Sequence, residues 1–365
     1  MRLLKPTPLV SMHTSVTKKP HAQSVLSGTL SVQDIDAHFA TALDRFAKEI
    51  ELPGFRKGKV PKERVLEEVG PLSVWRAAAE SALRDHLQKI LESNSLMPIM
   101  PPEVSLEITA AQQEVPFTIT VTTPPRVDIP EPSTIATDAL KKLEAMDREK
   151  ELAAATRSLE AQTRAMLQVT EERALTDDES KKLGFENATA LAHFIAGEAE
   201  KAVESYDDQR KRGAVAQALV SAATHDVPLI LVEEEVRAML ESSKKRMAAE
   251  GLPFNEYLSK RGRTEADILE EMRPQAEKRL ILDLIFAQIA KTTELKPDDA
   301  EVHRVAHALQ AQGVPDHAAH QYAAEVSIRE QVWVTLGVAK PKPKTSDEAT
   351  PEAHAHDHSD PHHAH

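Results

Sequence analysis

Between Gly54 and Arg64 the chain gathers cations around a bare aromatic ring. The run is Gly54-Phe55-Arg56-Lys57-Gly58-Lys59-Val60-Pro61, continuing to Lys62, Glu63 and Arg64. Five of these eleven residues are Lys or Arg and Glu63 is the only acid, whereas the whole chain of 365 residues carries a formal charge of −13. Guanidinium and ammonium groups concentrated on an acidic molecule suit contact with phosphates or carboxylates, and a ring held in a turn adds an apolar anchor. Two other readings compete. A plain helix-to-helix connection could carry the same charges, but it leaves Phe55 in a turn with nothing to cover it. A phosphate-cradling loop needs one more residue between its glycines, and Val60 stands where a magnesium-binding hydroxyl belongs. Docking onto a polyanionic surface is the reading that uses every residue of the run.

The remaining reactive side chains are less organised. There is no cysteine, which excludes disulfides, thiol catalysis and Cys-ligated metal centres. His303 and His307 have the i, i+4 spacing of two ligands on one helix face, but two imidazoles without a third partner are read as structural or solvent-facing, so no metal site is assigned. His354, His356, His358, His362, His363 and His365 form a tail with loose nickel or zinc affinity. Glu233-Glu234-Glu235 follows Pro228 closely enough to be read as acid opposing a helix dipole. No catalytic residue and no cofactor is assigned. Aromatics are 4% of the chain, too few for base-stacking platforms, and the net acidity argues against general nucleic-acid binding. No run approaches the roughly 20 apolar residues of a membrane helix, and charge and proline in Met1-Arg2-Leu3-Leu4-Lys5-Pro6 interrupt any signal peptide. A soluble cytoplasmic protein is expected, with no membrane partner.

The elements that must hold the basic loop are legible around it. His13–Lys19 and Ser24–Val32 alternate as strands about a turn at Lys18-Lys19-Pro20-His21. Ile35, Phe39, Leu43, Phe46 and Ile50 have helical spacing over Asp34–Glu51, with Ser31 or Asp34 as cap and Pro53-Gly54 as terminator. Pro61 opens a short helix that stops at Gly70-Pro71, a longer one follows over Ser73–Ser93, and Val104–Ile108 and Pro116–Thr123 return as strands. Beyond Pro132 the pattern is helical: Asp138–Arg173 with a Leu152, Leu159, Met166 stripe, then Asn187–Asp226, Pro228–Glu250, Glu265–Thr292 and two segments between Pro297 and Leu336. Leu280–Ala290 is apolar nearly all round and reads as a buried core helix. Met239, Met247 and Met272 either fill such cores or line an adaptable surface.

Gly-Phe-Arg-x-Gly-Lys-x-Pro resembles the ribosome-docking motif of trigger factor, the bacterial chaperone at the nascent-chain exit, and Gly54, Phe55, Arg56, Lys57, Gly58, Lys59 and Pro61 occupy the motif without a departure. Residues 34–125 resemble the ribosome-binding domain of that family, including the Pro-Phe-Thr strand at Phe117. Leu183–Val236 is similar to its C-terminal chaperone domain, through the small-residue helix end at Ala222, Val227-Pro228 and the Glu run. The resemblance implies an α+β N-terminal ribosome-binding domain over residues 1–128 and an elongated all-α linker and C-terminal chaperone domain over 129–339; the Pro, Lys, Thr, Ala, Asp and His composition from Lys340 onward reads as a disordered His-rich tail over 340–365.

One departure is large. The family typically carries an FK506-binding-type prolyl isomerase module between these parts. Here no glycine occurs from Pro71 to Leu183 and no aromatic from Thr118 to Gly184. A β-rich module needs turn glycines and upwards of about 50 residues. The module is expected to be missing. The resemblance then implies an ATP-independent chaperone with no cofactor, partnered by the large ribosomal subunit at the tunnel exit and by nascent polypeptides. Contact with rRNA and self-association off the ribosome stay open, as do retained isomerase activity and a periplasmic-type helical holdase.

Overall fold

The computed structural model describes residues 14–340; the His-rich tail and the start of the first expected strand lie outside them. The first elements follow the sequence closely. Strands β1 (Ser15–Lys19) and β2 (Gln23–Leu30) pair antiparallel, and β2 in turn pairs with β4 (Val115–Thr122), whose other edge takes β3 (Glu103–Leu106). Leu26 and Leu30 of β2 sit opposite Ile119 and Val115, so the inward face of β2 and β4 is apolar apart from the buried Ser24. Gly28 lies opposite Phe117, and a Cβ added there would meet the ring at 2.6 Å. The phenyl group fills the space that a side chain would need.

Two helices cover that face. Helix α1 (Val32–Glu49) starts at Ser31, whose hydroxyl accepts the Asp34 N–H at 3.2 Å, and α3 (Pro71–Ser93) buries Val74, Trp75, Leu83, Ile90, Leu91 and four alanines. The alanines let α1 and α3 approach closely. Trp75 is fully buried, tilted against Phe39, and its indole N–H donates to the Gln113 carbonyl at 3.2 Å. Between α1 and α3 lies α2 (Lys62–Val69), which contributes Val65 to the same core.

The chain divides into two compact units. One holds the described residues up to Ile129 together with Ala223–Ile285; the other holds Pro130–Ala222 and the described residues from Phe286 onward. In the first, β5 (Arg126–Asp128) pairs with β6 (Thr224–Asp226), and Asp226 accepts the Ala22 N–H at 2.6 Å. Helices α8 (Leu229–Ala249), α9 (Phe254–Arg261) and, as far as Ile285, α10 (Glu265–Thr292) follow. In the second unit α4 (Pro132–Lys142) and α5 (Arg148–Met166) pack on α7 (Ala188–Ala222), with α6 (Asp177–Lys182) before it and the hairpin α11 (Asp299–Gln310) and α12 (Asp316–Thr335) after. Arg212 of α7 makes a bidentate pair with Glu330 of α12 at 2.7 and 2.9 Å and lies over the Trp333 ring, which meets Phe286 edge-on. The Glu330 hydrogen bonds hold the Arg212 pKa above its ordinary value.

Three sequence expectations are corrected. The single helix over Asp138–Arg173 is two, because α4 ends at Leu143 and Asp147 caps a new helix by accepting the Lys150 N–H. The helix expected to reach Asp226 ends at Ala222, since residues 224–226 satisfy their backbone groups against β5 instead. Glu233, Glu234 and Glu235 lie past the first turn of α8; Glu235 pairs with Arg279 at 3.1 Å and Glu233 with Arg273 at 3.9 Å, so helix-to-helix ion pairing accounts for two of them rather than the dipole. The helix read over Glu265–Thr292 has those bounds in the structure, and within it Ile281, Ile285, Phe286 and Ile289 are buried.

Candidate functional site

The basic loop is built from two successive tight turns. The first closes with the Phe55 N–H donating to Leu52 O at 3.0 Å; Pro53 presets its second residue, and Gly54, with φ +87°, takes the third. The second closes with Lys59 N–H donating to Arg56 O at 2.9 Å, with Gly58 at φ +75° in the equivalent place. A positive φ only at the third residue is the type II arrangement, which favours glycine there. Nothing lies within 4 Å of a Cβ built on either glycine, so backbone conformation and not space selects them.

The loop is held at its two ends and bare between them. Leu52 packs against the sheet–helix core and Val60 is buried in it, while every residue from Pro53 to Lys59 is exposed. Phe55 is 41% exposed. Lys57 lies 3.4 Å from Glu51, both well solvated, a contact of little strength. Further on, Lys62 pairs with Asp44 and Arg64 with Glu67, so these two cations are matched within the molecule. Arg56 and Lys59 have no ion-pair partner among the described residues. The structure therefore brings Phe55, Arg56, Lys57 and Lys59 onto one projecting double turn, with Pro61 as the exposed cap residue of α2. Val60, notable in the sequence only as the wrong residue for magnesium, is the anchor that fixes the second turn; its signal is an apolar residue between charges.

The other residues singled out from the sequence fare differently. Met239, Met247 and Met272 are all half-buried. Beyond residue 129 the exposed large apolar groups among the described residues are instead Met166, Phe194, Tyr206, Leu229, Leu252 and Tyr322, with Met166 at 76%. In the α+β part Met97, Ile99, Met100 and Val104 form an exposed apolar run on and before β3. Residues 129–183 hold α4, α5 and α6 and no strand. Among the described residues no helix is long and apolar enough to cross a membrane.

Comparison with known proteins gives the same family twice. Residues 12–155 match the model described as bacterial trigger factor protein, and residues 189–332 match the one for its C-terminus. The chain is 21% identical to the trigger factor of Macrococcus caseolyticus over 380 positions that span 78% of this chain and 87% of that protein. It is 25% identical to that of Bacillus subtilis over 75% and 87% of the two chains, and 30% identical to that of Prochlorococcus marinus strain MIT 9313 over a shorter stretch of 95 residues, 26% of this chain and 20% of that one. A solved trigger factor chaperone structure, described for promiscuous substrate recognition in folding and assembly, superposes with a TM-score of 0.50 at 14% identity, over 89% of this chain and 99% of that one, which bears on the fold alone. With both ends of the chain matched, this protein belongs to the trigger factor family of ribosome-associated chaperones.

Proposed function

We propose that the chain docks on the large ribosomal subunit at the tunnel exit through Phe55, Arg56 and Lys57, with Lys59 in support, and holds emerging polypeptides without ATP. The observation that carries this reading is the double turn: its backbone is fixed by Leu52, Val60 and two positive-φ glycines, and its side chains are solvated. A loop ordered in advance loses little entropy on docking. Arg56 and Lys59 supply charge-assisted contacts to carboxylates or rRNA phosphates, and Phe55 supplies the apolar anchor. The exposed apolar groups, Met166, Phe194, Tyr206 and Tyr322 among them, offer weak contacts to unfolded chains that become useful once tethering raises the local client concentration. The same groups favour self-association when the ribosome is absent. A cytoplasmic setting follows from this role. We read the functional division as residues 1–128 for docking and 129–339 for client holding.

Changing Phe55, Arg56 and Lys57 together to Ala is expected to abolish cosedimentation with ribosomes while leaving the melting temperature within about 2 °C, since all three side chains lie outside the core. Wild-type binding should weaken as salt rises. Undiminished pelleting of the triple variant would overturn the docking assignment.

We also infer that prolyl isomerase activity is absent. The two family matches leave only residues 156–188 between them, fewer than an independent β-rich module needs. The alignment with the Macrococcus caseolyticus protein supports a gap, because it runs to 380 positions while drawing on 78% of a 365-residue chain. A protease-free assay of a short proline peptide should return the spontaneous rate, set by a barrier of about 20 kcal/mol, at micromolar protein. Acceleration that an FK506-type ligand suppresses would count against this inference.

A further inference from the structure

We propose that the hairpin of α11 and α12 carries a divalent transition-metal site centred on His303 and His320. Spacing along the chain pairs His303 with His307, on one helix. The structure instead brings His303 against a histidine of the next helix: the two rings stand edge to face with centroids 5.6 Å apart and planes at 83°. Their closeness has a cause. Ala306, Ala319 and Ala323 form the fully buried seam of the hairpin, and such small side chains let the two backbones approach. His303 and His320 adjoin that seam and remain open to water.

Two observations point to metal rather than to simple stacking. The first is separation. Imidazoles bound to one tetrahedral ion at Zn–N distances of about 2.0–2.1 Å have ring centres roughly 5–5.5 Å apart, close to the spacing already present. The second is the proton on His320. Its Nδ1 lies 3.0 Å from the Asp316 carbonyl oxygen and 3.1 Å from Asp316 Oδ1, so the N–H on Nδ1 donates to Asp316 and leaves the Nε2 lone pair free. A carboxylate behind a ligating imidazole is the usual outer partner of such sites. Asp316 is itself held by Gln310, whose Nε2 donates to Oδ1 at 2.6 Å. Asp316 is thus a positioning residue, and Gln310 positions it in turn.

No three His, Cys, Asp or Glu side chains among the described residues stand ready as a complete cage. The pair is therefore an open two-imidazole clamp. Water fills the remaining positions, or His307 does by a rotamer change, since it lies one turn from His303 on α11. Imidazole donors without thiolates suit zinc, nickel or copper(II) and not magnesium or calcium. A metal held by both helices ties the hairpin together and stabilises the native state in proportion to its occupancy.

The test must separate this clamp from the six histidines of the tail. In the full-length chain those six are changed to Ala, and zinc is titrated calorimetrically in a non-chelating buffer, with the melting temperature followed in parallel. One equivalent of zinc should remain, with a metal-dependent rise in melting temperature. In that background His303→Gln and His320→Gln should each weaken binding at least about tenfold and remove the rise, while His317→Gln, on the same helix but outside the pair, should change neither. Asp316→Asn should weaken zinc by about tenfold, the cost of losing an outer partner. Circular dichroism of each variant without metal checks that the helices are intact. No zinc binding below about 100 μM once the tail histidines are gone, or binding equally sensitive to His317→Gln, would overturn the assignment.

Discussion

Helices α3 and α5 are nearly the same length, 23 and 19 residues, and could hardly be used more differently. The first buries nine side chains, Trp75 among them; the second buries none. Burial on that scale makes α3 part of a rigid platform, and the platform is what fixes Leu52 and Val60 and hence the basic loop. Helix α5 owes its form to composition: Ala, Glu, Arg and Leu in quantity, and an N-cap at Asp147. A segment with few buried contacts opens at little cost, which suits a surface that must meet unrelated clients. The difference teaches that, on the proposed function, the precise contact and the adaptable one fall to elements of opposite energetics.

The sharpest way to break this contrast is to truncate the platform. Trp75→Ala or Phe117→Ala removes a fully buried ring from the sheet–helix core, and each should cost about 3–5 kcal/mol in denaturant unfolding. Ribosome binding should fall with it, although neither residue touches the loop surface. A loss below about 1 kcal/mol for both would mean that the unit bearing the basic loop is not the rigid half.

A smaller pair of changes sharpens the other side. In α5 Leu159 is only half-buried and Ala161 is exposed. Where packing decides, Leu159→Ala should be much worse than Ala161→Gly; where propensity decides, the glycine should cost as much or more, about 1 kcal/mol. The second ordering is expected here, read as helix content by circular dichroism and as amide exchange across residues 148–166. A Leu159→Ala cost of several kcal/mol would show a core that α5 does not have.

How much of this is legible in the sequence depends on the distance over which each cause acts. The double turn of the basic loop is, because Pro53-Gly54 and Gly58 encode their turns locally, and the cap at Ser31 and the bounds of α10 are local too. The break between α4 and α5 is not: Leu143, Glu144, Ala145 and Met146 are all good helix formers, and the stop is set by Asp147 capping a new helix rather than continuing the old one. Strands β5 and β6 are invisible because each is three residues long and finds its partner about a hundred residues away. The contact of His303 with His320 needs the register of a hairpin, which no single-helix spacing reports. The ion pairs of Glu233 and Glu235 with α10 likewise depend on a neighbour that sequence does not place.

The smallest expected effect lies where the helical half is held by polar contacts on its surface. Thr176 and Glu179 form a capping box at the start of α6: the Thr176 hydroxyl accepts the Glu179 N–H at 3.3 Å, and the Glu179 carboxylate accepts the Thr176 N–H at 2.7 Å. Arg173 donates to both oxygens of that carboxylate at 2.6 and 2.9 Å. The Arg173 hydrogen bonds first, and the Thr176 N–H second, bring the Glu179 carboxyl down to about 2 from an ordinary 4.5. A carboxyl depressed in the folded state binds its proton more readily in the unfolded one. Its contribution is therefore complete above about pH 4.5 and is lost as pH falls toward 2. Glu179→Gln keeps the size of the side chain but cannot hold the ion pair, so it should be slightly less stable than wild type at neutral pH. That gap should close on acidification through this window, and a carbon-detected titration of Glu179 should show its midpoint near 2. Arg173 is open to water, so the gap itself should be small and should shrink further in salt. A difference that stays constant from pH 7 down to pH 2 would mean that packing around α6, and not the Arg173 charge, is what the substitution disturbs.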